Sequence, residues 1–228
     1  SLKDVNEFYQ THFKPQNAKI IVVSDLGQTP LLKVIKPVLN SWEGSAPQLS
    51  LELPIPNVDK TKIYLVNKED AAQSSIRIGK RSITRDFTGE FYRLGLMNYA
   101  LGGGFNSRIN LNLREDKGYT YGAWSGFAGS KLSGSFTASS SVRADVTAAS
   151  IKEFVNEMAS YRESGITDEE LAFTRSAINQ KDALKYETPM AKLGFLSKIL
   201  EYDLPRDFVK QQAKIVDELS QGEINALA

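Results

Sequence analysis

The chain has 228 residues, 41% hydrophobic and 24% charged, the composition of an ordinary globular protein long enough for one large domain or two small ones and able to bury a sizeable core. Twenty-eight Lys and Arg against 27 Asp and Glu leave a net charge of +1 with no basic block, so neither nucleic acid nor an anionic membrane surface is indicated as a partner. The absence of cysteine excludes disulfides, cysteine zinc sites and thiol catalysis, and leaves the compartment open between cytoplasm and periplasm.

No secretory signal, lipidation motif or transmembrane run is visible. The longest apolar stretches, such as residues 20–23, fall far short of the ~18 residues a span needs, so a soluble chain without membrane insertion is expected. The sequence opens at Ser1-Leu2 on an amphipathic segment (Leu2, Val5, Phe8, Tyr9), as expected of a piece of a longer polypeptide or a chain that has lost a leader. Residues 2–13 predict a helix, Lys-Pro-Gln-Asn a turn, and the β-branched run that follows a strand ending at Ser24-Asp25. His12 is the only histidine, and one imidazole cannot make a protein zinc site.

Residues 28–42 read as a helix, with Pro30 in its first turn and Pro37 as a kink. The proline-bearing stretch 43–58 reads as a surface loop or linker that compels no domain boundary. Residues 62–66 (KIYLV) and 74–80 (SSIRIGK) alternate as strands about a polar turn and predict an antiparallel pair. Residues 86–101 form a helix, with Phe91, Leu94, Met97 or Asn98, and Leu101 at core spacing.

The stretch 101–127, LGGGFNSRINLNLREDKGYTYGAWSGF, organises the rest. Gly102, Gly103 and Gly104 break the preceding helix, Asn106 or Ser107 can cap the next, and Ile109 and Leu113 fall one turn apart before Gly118 stops it. The glycines do not have phosphate-loop spacing. After Gly118 the pattern alternates as a strand, with Tyr119, Tyr121, Ala123, Ser125 and Phe127 on one face. Arg114 lies on the last helical turn and Tyr121 seven residues on, so a reversal there can bring guanidinium and phenol to one space. An Arg so placed can also complement the helix dipole or pair with Glu115 or Asp116, and a strand Tyr can be half-buried packing.

A turn at 129–131 returns the chain into a second strand over 132–142, whose serines mark a lightly packed or solvent-facing side. Helices are predicted over 146–162, 167–186, 188–201 and 207–217, with a last turn from Ser220 and with Thr167 and Asp207 as caps. The stripe Ile151, Phe154, Val155, Met158 and its counterparts at 171–178 and 193–200 are assigned to the core. Thr167-Asp-Glu-Glu170 reads as a capped helix start. The class is two-layer α+β, a mixed but mostly antiparallel sheet of about five or six strands covered on one face by helices.

LGGGFNSRINLNLREDKGYTYG resembles the signature of the C-terminal half of the M16 zinc metallopeptidases, the insulinase and mitochondrial-processing-peptidase family. The opening helix, Pro/Asn turn and strand, and Gln73-Ser74, resemble the family as well, although Ser24 stands where Gly is usual. The resemblance covers nearly the whole chain and implies the M16 half-molecule fold (LuxS/MPP-like) over residues 1–228, with 1–26 leading in from a preceding half, 27–142 the sheet with the motif, and 143–228 a helical layer. It implies that Arg114 and Tyr121 contact a bound peptide or its oxyanion, supported by Gly102, Gly103, Gly104, Ser107, Arg108 and Gly118. No metal ligand or general base is assigned in this chain. Zinc is expected in an N-terminal half or partner subunit carrying His-x-x-Glu-His, and an unfolded peptide is the expected substrate. A subunit that has lost proteolysis, or a peptide-binding module, are the alternatives.

Overall fold

The computed structural model describes residues 1–48, 58–183 and 186–228. In chain order its elements are α1 (Leu2–His12), α2 (Gln28–Asn40), β1 (Gln73–Ser82), α3 (Glu90–Asn98, continued as a π turn over Tyr99–Gly103), α4 (Arg108–Asn110, continued as a π-helix over Leu111–Asp116), β2 (Thr120–Gly129), β3 (Gly134–Arg143), α5 (Thr147–Ser164), α6 (Asp168–Ala183), α7 (Pro189–Tyr202), α8 (Phe208–Glu218) and α9 (Gln221–Leu227). They fall into two compact units, residues 1–57 with 185–204 and residues 58–184 with 205–228. Among the described residues no helix is long and apolar enough to cross a membrane.

In the first unit α1 ends ahead of a 3₁₀ turn at Pro15–Asn17, where the Pro/Asn turn was expected. Pro30 sits in the first turn of α2, where a missing N–H is harmless, and Pro37 lies inside it. The Thr188 hydroxyl caps α7 by accepting from the Ala191 amide at 3.1 Å. Residues 18–24, expected as a strand, join no ladder among the described residues; Lys19 Nζ donates to the Leu200 carbonyl at 2.6 Å.

The second unit holds the sheet, order β1-β3-β2, antiparallel throughout. β1 pairs with β3 over its whole length, from Gln73↔Arg143 to Ser82↔Gly134, and β2 and β3 form a hairpin. Two expectations fail here. Residues 62–66 do not pair with β1, and Ile63, Leu65 and Val66 are each 90% exposed; the described sheet therefore has three strands rather than five or six. β-branched residues favour a pleated surface that a neighbouring strand half covers, and without a partner edge the same residues stay extended and bare.

Ile76, Ala123, Ala138 and Val142 on the inner face of the sheet meet Leu94, Met97, Leu101, Ile109, Leu113, Phe154 and Tyr161 from α3, α4 and α5 in one core. Ile109 and Leu113 are fully buried, as their spacing predicts. The α5 stripe differs: Phe154 and Tyr161 face inward with Ser150, whereas Ile151 and Val155 lie at the surface. On β3, Ser139 and Ser141 are less buried, but Ser140 faces inward, against the expectation for these serines. The class is α+β with helices backing an antiparallel sheet.

Candidate functional site

The link from α3 through α4 to β2 carries every residue singled out by the motif. A Cβ on Gly102 would lie 2.2 Å from Ser125 Oγ and 2.5 Å from the Ser125 amide, so only glycine lets this turn lie flush on β2. The contact is reinforced by Asn98, whose Nδ2 donates to the Ser125 carbonyl at 2.8 Å while its Oδ1 accepts from Ser125 Oγ at 2.6 Å. Gly103 abuts Asn98 and Gly104 abuts the Tyr99 ring.

Ser107 occupies the N-cap position of α4, but its hydroxyl caps nothing: it is buried, without a hydrogen-bond partner among the described residues. At the other end Gly118, at φ +62°, takes the left-handed conformation and turns the chain into β2. The Tyr119 amide then donates to the Leu113 carbonyl at 2.9 Å.

Arg108 is held deep in this unit. Its guanidinium makes two parallel bonds to Glu170, Nε to Oε1 at 2.6 Å and Nη2 to Oε2 at 2.7 Å, donates to the Gly165 carbonyl at 2.8 Å, and stacks 4.7 Å from the Tyr161 ring centre. The two side chains are 17% and 25% exposed. Burial pushes the Glu170 carboxyl up, and the Arg108 guanidinium with the Thr167 amide outweighs it, leaving the group below the usual carboxylate range. Glu170 also completes a capping box with Thr167, accepting from the Thr167 amide at 2.9 Å while its own amide donates to Thr167 Oγ1 at 3.2 Å. The Tyr161 hydroxyl donates to the Met97 carbonyl at 2.9 Å, and burial raises its pKa above the ordinary phenol. Arg108 thus ties α4 to the α5–α6 corner.

Arg114 sits at the end of the π-helical turn, half-buried, with its guanidinium carbon 4.6 Å from the centre of the Phe105 ring and Nε 3.3 Å from Glu115 Oε1. Tyr121 is 92% exposed. It owes that position to an irregularity: Thr120 pairs with Val142 and Ala123 with Ser140, so β2 spends one residue more than β3 over this step. Such a bulge breaks the alternation, so Tyr121 faces water while Ala123 and Ser125 face the core. No hydrogen bond joins Arg114 to Tyr121 among the described residues, and none holds the phenol.

Polar side chains secure the bulge. Thr120 Oγ1 accepts from the Gly122 amide at 3.1 Å, and Ser140 Oγ lies 2.8 Å from the Gly122 carbonyl and 2.9 Å from Thr120 Oγ1. Asn110, 4% exposed, bonds from the helix side: Oδ1 accepts from the Ala123 amide at 3.0 Å and Nδ2 donates to the Phe105 carbonyl at 2.7 Å. The polar contacts of Asn98, Asn110 and Ser140, and the pairing of Arg108 with Glu170, are not expected from the motif. Their signal is the position of polar residues where the helical or strand period calls for apolar ones.

Among the described residues no group of three or more His, Cys, Asp or Glu is placed to hold a metal ion, and His12 packs 4.5 Å from the Phe8 ring. The chemistry this arrangement can do is hydrogen-bond donation from a fixed guanidinium and an exposed phenol.

An α+β unit with this helix–strand link has known counterparts. Residues 1–178 match the family model of the peptidase M16 inactive domain, and the chain belongs to that family. It is 22% identical over 223 residues to an uncharacterized zinc protease, YmxG, of Bacillus subtilis, covering 98% of this chain and 51% of that one. A Helicobacter pylori relative named a non-peptidase homolog is 24% identical over 237 residues, again 98% and 51%. The chain therefore spans about half the length of these relatives. In fold it is similar to the crystal structure of a Helicobacter pylori protease, with a TM-score of 0.83 at 18% identity over 100% of this chain and 55% of that one. A peptidase M16 inactive domain from Pseudomonas fluorescens has a TM-score of 0.63 at 26% identity, over 68% and 37%.

Proposed function

We propose that residues 1–228 serve as the substrate-binding half of a zinc-dependent M16 metalloendopeptidase. The metal belongs to a second half or partner subunit carrying His-x-x-Glu-His, and an unfolded peptide is held between the two. On this chain Arg114 and Tyr121 donate hydrogen bonds to the peptide backbone, or to the oxyanion that develops at the scissile carbonyl. The observation that carries the reading is the state of Tyr121, a phenol at the surface with no hydrogen-bond partner among the described residues, aimed outward by a bulge that Thr120, Ser140 and Asn110 secure. Bulges recur beside active sites because the extra residue re-aims a side chain while disrupting the ladder only locally. Arg114 adds a cation preorganised on an aromatic face, whose donors keep capacity for a ligand.

A second reading, a relative that keeps the fold without proteolysis, has one observation in its favour: the Helicobacter pylori relative, matched over 98% of this chain, is named a non-peptidase homolog. Reconstitution separates the two. This chain joined to or mixed with its His-x-x-Glu-His half is expected to hydrolyse an extended peptide that neither part cleaves alone, with bound zinc tracking the other half. No hydrolysis from the complete assembly, or equal hydrolysis by the other half alone, would favour the second reading.

A further inference from the structure

The structure assigns Asn110 as the positioning residue that holds Arg114 and Tyr121 to one geometry, an inference that rests on the substrate-binding reading. Two proposed donors reach the surface from different elements, Arg114 from the π-helical end of α4 and Tyr121 from β2, and no bond joins them directly. What they share is one buried side chain between the elements. The Nδ2 of Asn110 donates to the carbonyl of Phe105, the residue whose ring carries the Arg114 guanidinium at 4.6 Å. Its Oδ1 accepts from the amide of Ala123, the first paired residue after the bulge that turns Tyr121 outward. A short primary amide has both a donor and an acceptor at fixed separation without a charge, and each is used on a backbone group. The 4% exposure of Asn110 means that water cannot stand in for either bond. Trp124 lies over the same spot, its ring 3.6 Å from where a Cβ on Gly122 would stand, with Asn110 Oδ1 at 3.9 Å from that point. Asn110 acts on the reaction only through the groups it places.

Asn110→Asp separates the two arms. The ionised carboxylate still accepts from Ala123 but cannot donate to Phe105, so the Arg114 arm loosens while the bulge stays closed; the protonated acid has the amide's shape and makes both bonds. In the complete two-half protein the variant is expected to lower kcat/KM by at least roughly two- to tenfold wherever the new carboxyl is ionised, because a hydrogen bond is lost and a carboxylate oxygen is set against the Phe105 carbonyl. Activity relative to wild type is expected to recover as pH falls and the new carboxyl protonates, which also gives a folded reference state where the ionised form is unstable. In an Arg114→Ala background the same change is expected to add nothing. Exchange of the Ala123 amide is expected to stay slow in Asn110→Asp and to quicken in Asn110→Ala, which removes both bonds. An Asn110→Asp factor that multiplies fully with Arg114→Ala, or wild-type activity together with quickened Ala123 exchange in Asn110→Ala, would overturn the assignment. Wild-type activity in both Arg114→Ala and Tyr121→Phe would remove the parent reading, and Asn110's role with it.

Discussion

At the residue scale, Arg108 and Arg114 show what the environment makes of one side chain. They stand six positions apart in the same motif, yet Arg108 is consumed by Glu170, Gly165 and Tyr161, whereas Arg114 rests on a ring and one exposed carboxylate. Arg108 is therefore a structural residue, and its pair should appear in stability. The folded Glu170 carboxyl lies below its ordinary value of 4.5, so the pair's contribution is complete above that value and is lost as pH falls through the lowered one. Glu170→Gln is expected to destabilise by about 1–3 kcal/mol at pH 7, a Tm loss of about 2–4 °C per kcal/mol for a chain of this size. Thermal melts from pH 7 to 3 should show the gap between variant and wild type closing below about pH 4. A gap that persists unchanged to pH 3 would mean that the ion pair is not its source.

At the scale of elements, the decisive contact is the flush packing of the α3 terminus on β2. Gly102→Ala drives a Cβ to 2.2 Å from Ser125 Oγ and is expected to destabilise by about 1–3 kcal/mol. Gly95→Ala, in the exposed face of the same helix with nothing within 4 Å of the added Cβ, is expected to be neutral or to stabilise by up to ~1 kcal/mol. Denaturant melts of the two read the contrast, and equal stabilities would dismiss the close-packing account. These helices were legible in the sequence because their signals are local: the period of Phe91, Leu94 and Leu101, the left-handed Gly118, the capping Thr167 and Ser220. Partners were less so. That β1 would take β3, and not residues 62–66, depends on pairing across more than fifty residues, which alternation cannot encode. The bulge was hidden for the same reason, since alternation assigned Tyr121 and Ala123 to one face and the extra residue separated them. Arg114 and Tyr121 stood out in the sequence, but the polar residues that place them, Asn110 and Ser140, sit at positions the period reserves for the core.

At the scale of the whole molecule, this chain is about half of the relatives it matches, and among the described residues no group of three or more His, Cys, Asp or Glu is placed to hold a metal ion. On the proposed function, Arg114 and Tyr121 act as a unit on one acceptor of a peptide bound to the complete protein. A double-mutant cycle on peptide hydrolysis, with thermal melts alongside, tests it most directly. Losing a hydrogen bond to a charged acceptor costs about 1.5–3 kcal/mol, so Arg114→Ala is expected to lower kcat/KM by roughly ten- to over a hundredfold, with Tyr121→Phe at the milder end and unfolding temperatures unchanged. The double variant is expected to lose little more than the worse single one. Full activity in Arg114→Ala, factors that simply multiply, or losses that follow the melting temperature would contradict the account.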